Sequence, residues 1–160
     1  MAPGTPVQFF LACAVSALDT IFVNAEPNPP VWPSTVKVFG PEDGVAAVAA
    51  AVNAAFRKNG GHEPPDHGQF SDERFAFLFK PGEYAVDVPV GYYTQILGLG
   101  QLPTEVVFTS VKGVFCDEGS YSFNPGSLNT FWRGAENFES RATYNWFGEY
   151  RGMLWAASQA

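Results

Sequence analysis

Residues Arg74–Thr109, RFAFLFKPGEYAVDVPVGYYTQILGLGQLPTEVVFT, decide the fold class. Phe75–Phe79 is a continuous apolar run, which is typical of a strand covered on both faces. Over Tyr84–Pro89, large apolar residues alternate with small or polar ones at a period of two. Further strand signals lie at Tyr92–Leu99 and Glu105–Thr109, and Pro and Gly separate them. Strands that recur about every ten residues predict layered β-structure.

Turns and shorter strands extend this pattern over the chain. Pro81 and Gly82, in that order, predict a type II turn at residues 80–83, because Pro fixes φ at the second position and Gly accepts a positive φ at the third. The prolines of residues 24–33 exclude a regular helix and indicate a linker or an extended arm. Short strands are also predicted at residues 35–39, 113–117, 129–133, 136–139 and 152–158, with 129–133 and 136–139 as a strand pair.

A helix is predicted at about residues 43–58, where most positions hold Ala, the best helix former. Its larger apolar residues share one face: Val45, Val48, Val52 and Phe56. Asp43 is the expected N-cap, the cations Arg57 and Lys58 suit the last turn, and Gly60 follows as a stop. The small residues suit close packing, so the helix is interpreted as a cap or cover.

Composition narrows the class of protein. Aromatic residues make up 16% of the chain and charged residues also only 16%, so aromatic surface beyond the needs of one small core is expected. The net charge is −7 and no Lys/Arg cluster is present, which argues against nucleic acid as a partner. No stretch reaches the roughly 20 apolar residues that a membrane-spanning helix needs.

The longest apolar stretch is Val7–Ala17, which ends in Val-Ser-Ala and is similar to a signal peptide with its cleavage site. This interpretation predicts a secreted protein. The first six residues carry no Lys or Arg, so a buried N-terminal segment is the alternative. Cys13 and Cys116 allow one disulfide without requiring it, and cleavage after Ala17 would remove Cys13.

The segment His62–His67, HEPPDH, contains residue types that ligate metals. Its two prolines prevent a helix or strand from holding the side chains in place, so it is interpreted as a solvated loop. No Cys/His spacing indicates a zinc site, and neither a metal nor another cofactor is predicted.

Several segments, in order, resemble the opening of right-handed parallel β-helix proteins of the pectin-lyase-like superfamily, of the pectate-lyase or exo-glucanase type. The segments are FLFKPGEY at 77–84, VGYYTQ at 90–95, LGLG at 97–100, NTFWRGAENF at 129–138 and LWAASQA at 154–160. The pattern is also similar to that of large secreted, mostly bacterial proteins that carry a discoidin-type domain. The resemblance covers about residues 36–160.

The resemblance implies a right-handed parallel β-helix of coils of about 20 to 25 residues, with an N-terminal helix capping the first coil. Residues 1–33 are then an N-terminal segment or linker and residues 34–160 the β-helix domain. Because such proteins continue for several more coils, we expect this chain to be an N-terminal fragment. An open β-helix end predicts self-association.

The resemblance also implies that the protein binds or cleaves polysaccharide, as a glycoside hydrolase or lyase. Hydrolysis needs two carboxyl groups about 5 to 9.5 Å apart. Asp117 and Glu136, on neighbouring coils, are the candidate pair, although each is also a plausible solvated carboxylate. In many β-helix enzymes the catalytic carboxylates lie in more central coils, so the fragment itself is expected to be inactive.

Aromatic residues near polar ones give the stronger binding signal, because sugar rings stack on flat aromatic faces. The candidate substrate-binding residues are Trp132, Arg133, Asn137, Trp146 and Tyr150. Two alternatives stay open: the rings pack between coils, or Asn129 and Asn137 form a structural ladder at a turn. The function is therefore polysaccharide processing or binding, with a non-catalytic carbohydrate-binding or adhesin-like module as the alternative. A small β-sandwich would instead require antiparallel hairpins.

Overall fold

A computed structural model of the chain describes residues 30–60, 68–116, 131–146, 148 and 150–157. Contacts group the residues from Trp32 onward into one unit. The signal-like stretch 7–17, the segment His62–His67, Asp117 and Asn129 lie outside the described residues, so the predictions made on them stay predictions.

The described chain is mainly β, with one α-helix. Its elements, in chain order, are β1 (Val36–Phe39), α1 (Val45–Asn59), β2 (Phe75–Phe79), β3 (Gly82–Tyr84), β4 (Val88–Pro89), β5 (Thr94–Gly98), β6 (Val106–Phe108), β7 (Val114–Phe115), β8 (Arg133–Glu136), β9 (Glu139–Ser140), β10 (Asn145–Trp146) and β11 (Tyr150–Arg151). Short 3₁₀ helices at Pro41–Asp43 and Pro103–Glu105 lead into α1 and β6.

Parallel pairing dominates the sheets. The first sheet has the order β1-β2-β5-β8, the second β3-β6-β9 and the third β4-β7, and neighbours in each are parallel. The chain visits the first, second and third sheets in turn and then returns to the first. One such passage is called a coil below. Parallel sheets and a single described helix confirm the predicted class at this level, and the antiparallel pair β10–β11 is an addition to it.

The two described coils differ in length. In the first coil, the paired residues Phe75 and Thr94 mark one turn of the chain in the first sheet, and Gly82 and Val106 mark one turn in the second. Both separations lie close to the expected coil length of roughly 20 to 25 residues. In the second coil, Thr94 pairs with Arg133, and this coil is longer because the chain between β7 and β8 includes residues 117–130.

The core is built from side chains that point between the sheets. Phe79 contacts the rings of Tyr84 and Phe108 edge-on, each at 4.9 Å between centroids. The predicted alternation is confirmed as far as Val88, since Tyr84, Val86 and Val88 are buried while Ala85 and Asp87 are exposed. It fails at Pro89, which is buried as well. The alternating run is nevertheless two strands rather than one, because β3 pairs with β6 and β4 with β7.

The helix differs from its prediction at the N-terminus. Its N-cap is Gly44, not Asp43, because the Asp43 carboxylate accepts a hydrogen bond from the Gly40 amide at 2.7 Å within the preceding 3₁₀ turn. Val45 is 52% exposed, so the predicted apolar face is shifted. The buried positions are Val48, Val52, Ala55 and Asn59, and this face packs toward β4 and the core.

Three further local predictions were wrong. No type II turn forms at residues 80–83, because Gly82 has a φ of 151° and already belongs to β3, where its Cα lies against the ring of Pro41. Strands β8 and β9 do not pair with each other, because they belong to the first and second sheets. Over the described part of residues 152–158, pairing is limited to a parallel bridge between Trp155 and Cys116.

No helix in the described ranges is long and apolar enough to cross a membrane.

Candidate functional site

A column of three stacked side chains runs across successive strands of the first sheet. Arg74, Tyr93 and Trp132 occupy equivalent positions, each immediately before β2, β5 or β8. The guanidinium carbon of Arg74 lies 3.6 Å from the centroid of the Tyr93 ring. The rings of Tyr93 and Trp132 are 5.3 Å apart and within 8° of parallel. One flat side chain per coil therefore forms a continuous stack, called the Trp132 column below.

Hydrogen bonds hold the lower part of the Trp132 column. The Arg74 guanidinium donates to the carbonyl oxygens of Ser71 at 2.7 Å and Glu73 at 3.0 Å. The Tyr93 hydroxyl donates to the carbonyl oxygen of Gln69 at 2.7 Å. Because these groups are fixed, the indole of Trp132 rests on a support whose orientation is already set.

The backbone at both aromatic positions of the column is unusual. Tyr93 and Trp132 each have a φ of 53°, in the left-handed region that bulky residues seldom adopt. The main chain there is well paired, since the Phe75 amide donates to the Tyr93 carbonyl oxygen and the Tyr93 amide donates to that of Trp132. The repeated conformation places the two rings at the same corner of successive coils. Trp132 is 46% exposed.

An open groove of about 280 Å³ lies beside the column and is lined by Tyr93, Thr94, Gln95, Trp132, Arg133 and Gly134. The Gln95 side-chain amide donates to the Glu136 carboxylate at 3.0 Å. A Cβ at Gly134 would occupy the place of the Gln95 amide oxygen, so the missing side chain lets Gln95 lie flat over β8. Of the predicted site residues, Trp132 and Arg133 line the groove, and Glu136 is linked to it through Gln95.

Sequence reasoning missed two members of this arrangement. Tyr93 is adjacent to Tyr92, and no local pattern distinguishes the buried ring from the one in the column. Gln95 contacts Glu136 across 41 positions of sequence, which no motif connects. The signal that was present is the aromatic pair at 92–93 before a strand, repeated as Phe131-Trp132 before β8.

Arg133 faces the interior rather than the groove mouth. It is only 3% exposed, its guanidinium contacts the carbonyl oxygen of Val90, and it donates to the Cys116 sulfur at 3.3 Å. The same guanidinium lies over the Tyr92 ring at 4.9 Å. Burial raises the pKa of Tyr92, and the charge of Arg133 partly opposes that rise. These contacts give Arg133 a structural position within the coil.

Asn137 also has a structural position. It adopts a φ of 57°, and its side-chain amide donates to the carbonyl oxygens of Gly98 and Gly100 at 2.8 Å each. Asn tolerates the left-handed region better than most residues, so it suits this corner. The contacts match the alternative of a structural turn position for Asn137, whereas its proposed ladder partner Asn129 lies beyond the described ranges.

Trp146 belongs to a second aromatic group, which includes Phe115 and Tyr144. It is 5% exposed, it meets Tyr144 edge-on at 4.6 Å, and its indole N–H donates to the Gly152 carbonyl oxygen at 2.9 Å. The Lys112 ammonium lies 4.7 to 5.2 Å from the rings of Phe115, Tyr144 and Trp146. This group attaches the β10–β11 hairpin to the coils. The side chain of Tyr150 lies outside the described part of the structure, so its predicted role stays a prediction.

The carboxylates of the candidate pair are placed only in part. Glu136 is exposed on β8, while Asp117 lies outside the described residues. Glu139, on β9, forms an ion pair with Arg141 at 2.8 Å, and Arg141 lies 3.6 Å from Glu83. Among the residues that the structure describes, no three His, Cys, Asp or Glu side chains come together as a metal site would require.

The chain is similar to part of a known protein in sequence and in structure. No model of a known protein family matches the chain. The sequence is 34% identical over 126 residues, or 78% of the chain, to an exo-β-1,3-glucanase of Streptomyces sp. (strain SirexAA-E / ActE), of which it covers 18%. The solved structure of sacteLam55A from Streptomyces sp. SirexAA-E matches with a TM-score of 0.57 and 33% identity, over 71% of this chain and 19% of that one.

The chain therefore spans about a fifth of the length of the relative it matches. The resemblance expected from the sequence is confirmed as similarity to part of a glucanase with a mainly β fold of parallel sheets. The narrower expectations, a pectin-lyase-like grouping and a discoidin-type domain, stay predictions. By sequence and by fold, the chain is similar to one segment of an exo-β-1,3-glucanase.

Proposed function

We propose that this chain forms the first coils of a right-handed parallel β-helix in a secreted protein that acts on or binds extracellular β-1,3-glucan. The observation that carries the proposal is 34% identity to an exo-β-1,3-glucanase over 78% of the chain. The structural match to a protein of the same Streptomyces strain, at a TM-score of 0.57, agrees with it. Secretion rests on the signal-like stretch 7–17 and on the size of the polymer, which is met outside the cell.

A general property of parallel sheets supports the right hand of the β-helix. Connections between parallel strands of one sheet are right-handed in about 98% of cases, because twisted strands allow the chain to pack back onto the sheet in that sense only. β2, β5 and β8 are joined by such connections. The buried Val48 and Val52 of α1 belong to the same apolar cluster as the coil interior, which supports the role of α1 as the cap.

The described groove favours binding over hydrolysis in this part of the protein. A glycosidase places two carboxyl groups about 5 to 9.5 Å apart across the scissile bond. No described carboxylate lines the groove. Glu136, next to it, bonds the Gln95 amide, and the ion-paired Glu139 belongs to another sheet. We therefore infer that this segment holds glucan and that other parts of a longer protein carry catalysis. Asp117 with Glu136 is the pair to be tested against this inference.

The pairing of Glu136 with the Gln95 amide also supports a second candidate function, a non-catalytic carbohydrate-binding or adhesin-like module. β8 is the outermost strand of the first sheet among the described residues, and edge strands are the usual surface through which sheets pair with another chain. Self-association through this edge is part of that candidate. Size-exclusion chromatography with light scattering over a concentration series tests it, and a strictly monomeric chain overturns self-association.

The central experiment measures retention on insoluble curdlan, a β-1,3-glucan, and glucose release from laminarin, using the whole chain of 160 residues. We expect retention on curdlan, weak or no retention on cellulose, and no glucose release. Glucose release that Asp117→Asn with Glu136→Gln abolishes would overturn the assignment of binding alone. A chain retained on neither glucan nor any other tested polysaccharide would overturn the proposed function.

A further inference from the structure

We propose that Asn59 is a site of spontaneous deamidation that the closed end of α1 protects, so that the modification marks chains in which this junction has opened. The sequence contains a single Asn-Gly pair, Asn59-Gly60. In such a pair the glycine nitrogen reaches the Asn side chain with no Cβ in its way, which makes the pair prone to this reaction.

The reaction needs water and no other partner. The main-chain nitrogen of Gly60 loses its proton and bonds to Cγ of Asn59, and the bond from Cγ to the side-chain nitrogen breaks, so that ammonia leaves. Water then opens the five-membered imide ring at one of its two carbonyl carbons, which gives aspartate or isoaspartate. The net change exchanges an amide for a carboxyl group, without oxidation or reduction.

The fold requires both members of this labile pair. The Asn59 side-chain amide donates to the main-chain oxygens of Glu73 at 3.1 Å and Tyr92 at 3.0 Å. Gly60 is needed because a Cβ there would lie 2.1 Å from the nearest ring atom of Phe56. Asn59 and Gly60 are both buried. Packing therefore keeps a chemically unstable dipeptide in the interior.

The closed junction blocks the reaction at each reacting atom. The nucleophile is occupied, since the Gly60 N–H donates to the Phe56 carbonyl oxygen at 2.6 Å. No donor among the described residues reaches Oδ1 of Asn59, so negative charge that develops there during attack is not stabilised. Asn59 is the last residue of α1, and ring closure turns its Cβ and the Gly60 nitrogen to one side of the Cα–C bond, a torsion that a helix lacks.

Two further glycines enclose the pair. A Cβ on Gly91 would lie 2.5 Å from the main-chain oxygen of Asn59, and a Cβ on Gly68 would lie 2.3 Å from its Cα. The backbones of these two segments therefore lie directly against Asn59, and they must separate before its torsion can change. Deamidation thus depends on a local opening of the chain, and its rate reports how often the junction opens.

After the reaction, position 59 no longer suits its place. A carboxylate donates no hydrogen bond, and here it would face the carbonyl oxygens of Glu73 and Tyr92 at a fully buried position. Burial of an unpaired charge is costly. Isoaspartate also adds a carbon to the main chain, where Gly68 and Gly91 leave no room for a Cβ. The modification therefore hinders closure of the junction.

The test follows deamidation of the whole chain near neutral pH by mass spectrometry of its tryptic peptides. Peptides 59–74 and 38–57 contain one Asn each, Asn59 and Asn53. We expect Asn59 to be converted at least about tenfold faster in urea that unfolds the chain than in native buffer. Asn53, which is followed by Ala, should lag behind Asn59 in urea. Equal conversion of Asn59 in the two buffers would overturn the proposal.

A matched pair of variants separates local opening from a general loss of stability. Gly91→Ala and Gly98→Ala each set a Cβ against a main-chain carbonyl oxygen, that of Asn59 in the first variant and that of Asn137 in the second. In native buffer, Gly91→Ala should convert Asn59 severalfold faster than wild type, and Gly98→Ala should not. In urea, both should match wild type. Equal acceleration by the two variants in native buffer would overturn the local protection.

Asn59→Asp reproduces one product of the reaction and keeps the proposal testable if Gly91→Ala does not fold. At neutral pH it should have a lower urea midpoint than Asn59→Ala, because of the buried charge. The gap should narrow as the pH falls to about 4, since a protonated carboxyl can donate to one of the two carbonyl oxygens. A midpoint at or above that of Asn59→Ala at neutral pH would show that the junction accepts the product, and the marking role would be overturned.

Discussion

The side-chain amide of Asn59, the last residue of α1, donates to the carbonyl oxygen of Tyr92 at 3.0 Å. The same amide nitrogen also donates to the Glu73 carbonyl oxygen at 3.1 Å. The main-chain carbonyl oxygen of Asn59 accepts a hydrogen bond from the Tyr92 main-chain amide at 2.7 Å. Asn59 is fully buried. One residue therefore joins the end of the helix to the chain that enters β2 and β5.

Replacing this side chain is expected to cost much of the stability of the first coil. Asn59→Ala removes one donor from each of the carbonyl oxygens of Tyr92 and Glu73, which keep the Thr94 hydroxyl at 3.2 Å and the Arg74 guanidinium at 3.0 Å. The loss of two buried hydrogen bonds should lower the free energy of unfolding by about 1 to 3 kcal/mol. Urea denaturation followed by circular dichroism measures it. Asn53→Ala is the control, because Asn53 is exposed and bonds only within the helix to Ala49. Equal midpoints for both variants would contradict the role of Asn59.

Two glycines of neighbouring strands should respond differently to the same substitution. A Cβ on Gly98 would overlap the main-chain carbonyl oxygen of Asn137, whereas a Cβ on Gly134 would meet only the end of the Gln95 side chain. Backbone cannot move aside cheaply, so Gly98→Ala is expected to lower the free energy of unfolding by about 1 to 3 kcal/mol. Gly134→Ala should cost less than about 1 kcal/mol, because a flexible side chain can move. If urea denaturation showed a larger loss of stability for Gly134→Ala than for Gly98→Ala, this account of the packing at the two glycines would be wrong.

At Trp132, glycine is expected to be tolerated better than alanine. In the left-handed region an L side chain costs roughly 1 to 2 kcal/mol, a cost that glycine avoids. Trp132→Gly should therefore be about 1 kcal/mol more stable than Trp132→Ala in urea denaturation, although both lose the stacked ring. Phe131 does not have a positive φ, so at that neighbouring position the usual order, alanine above glycine, should hold. If the alanine variant were the more stable one at both positions, the strained backbone at Trp132 would be contradicted.

The ionisation of Tyr84 should make stability fall at high pH. Burial, then the charges of Glu42 and Asp43, raise the pKa of Tyr84 from 10.0 to about 12. The folded chain thus holds this proton more tightly than the unfolded chain does. The resulting stabilisation is fully present below about pH 10 and is lost as the pH rises toward about 12. The hydroxyl also donates to the Lys80 carbonyl oxygen at 2.7 Å, and this bond requires the protonated form.

Tyr84→Phe isolates this contribution. The variant keeps the ring contacts with Phe79 and Phe108 but has no group to ionise. The difference in free energy of unfolding between wild type and variant should be constant up to about pH 9.5 and decline above it. Other groups that ionise in this range, Tyr92 among them, are common to both proteins and cancel in the difference. A difference that stays flat to about pH 11.5 would contradict the raised pKa.

Local patterns predicted the strands up to β7 well, but they misplaced β8 and β9, predicted a strand at 152–158 that is reduced to one bridge, and predicted strand pairing less well. The apolar run at Phe75–Phe79 and the alternation from Tyr84 depend on neighbours two residues apart, so the sequence contains their cause. The helix N-terminus depends on Pro41, which begins a 3₁₀ turn that engages Asp43 as its own cap and leaves the α-helix to start after Gly44. The separation of β8 from β9 depends on which sheet each strand joins, and strand propensity does not specify that.

The sequence predicted members of the candidate site only where the type of a single residue indicated a role. Trp132 is identified by its residue type, and the structure places it at an exposed corner. From its residue type, Arg133 would also be expected at the surface. Its side chain is buried instead, because the backbone changes direction at Trp132, which has a positive φ. Gln95 could not be found, because its contact with Glu136 depends on the long coil that returns the chain from Thr94 to Arg133.

The unequal lengths of the two coils also predict the order in which they form during folding. Pairing β5 with β2 closes the chain from Phe75 to Thr94, and pairing β8 with β5 closes the longer stretch from Thr94 to Arg133. The second closure carries the larger loss of chain entropy, by about 0.6 kcal/mol for a doubled loop, and short-range pairings also form faster than long-range ones. Refolding should therefore place Tyr93 on Arg74 first and bring Trp132 onto Tyr93 last. The indole of Trp132 thus becomes the marker of completed folding.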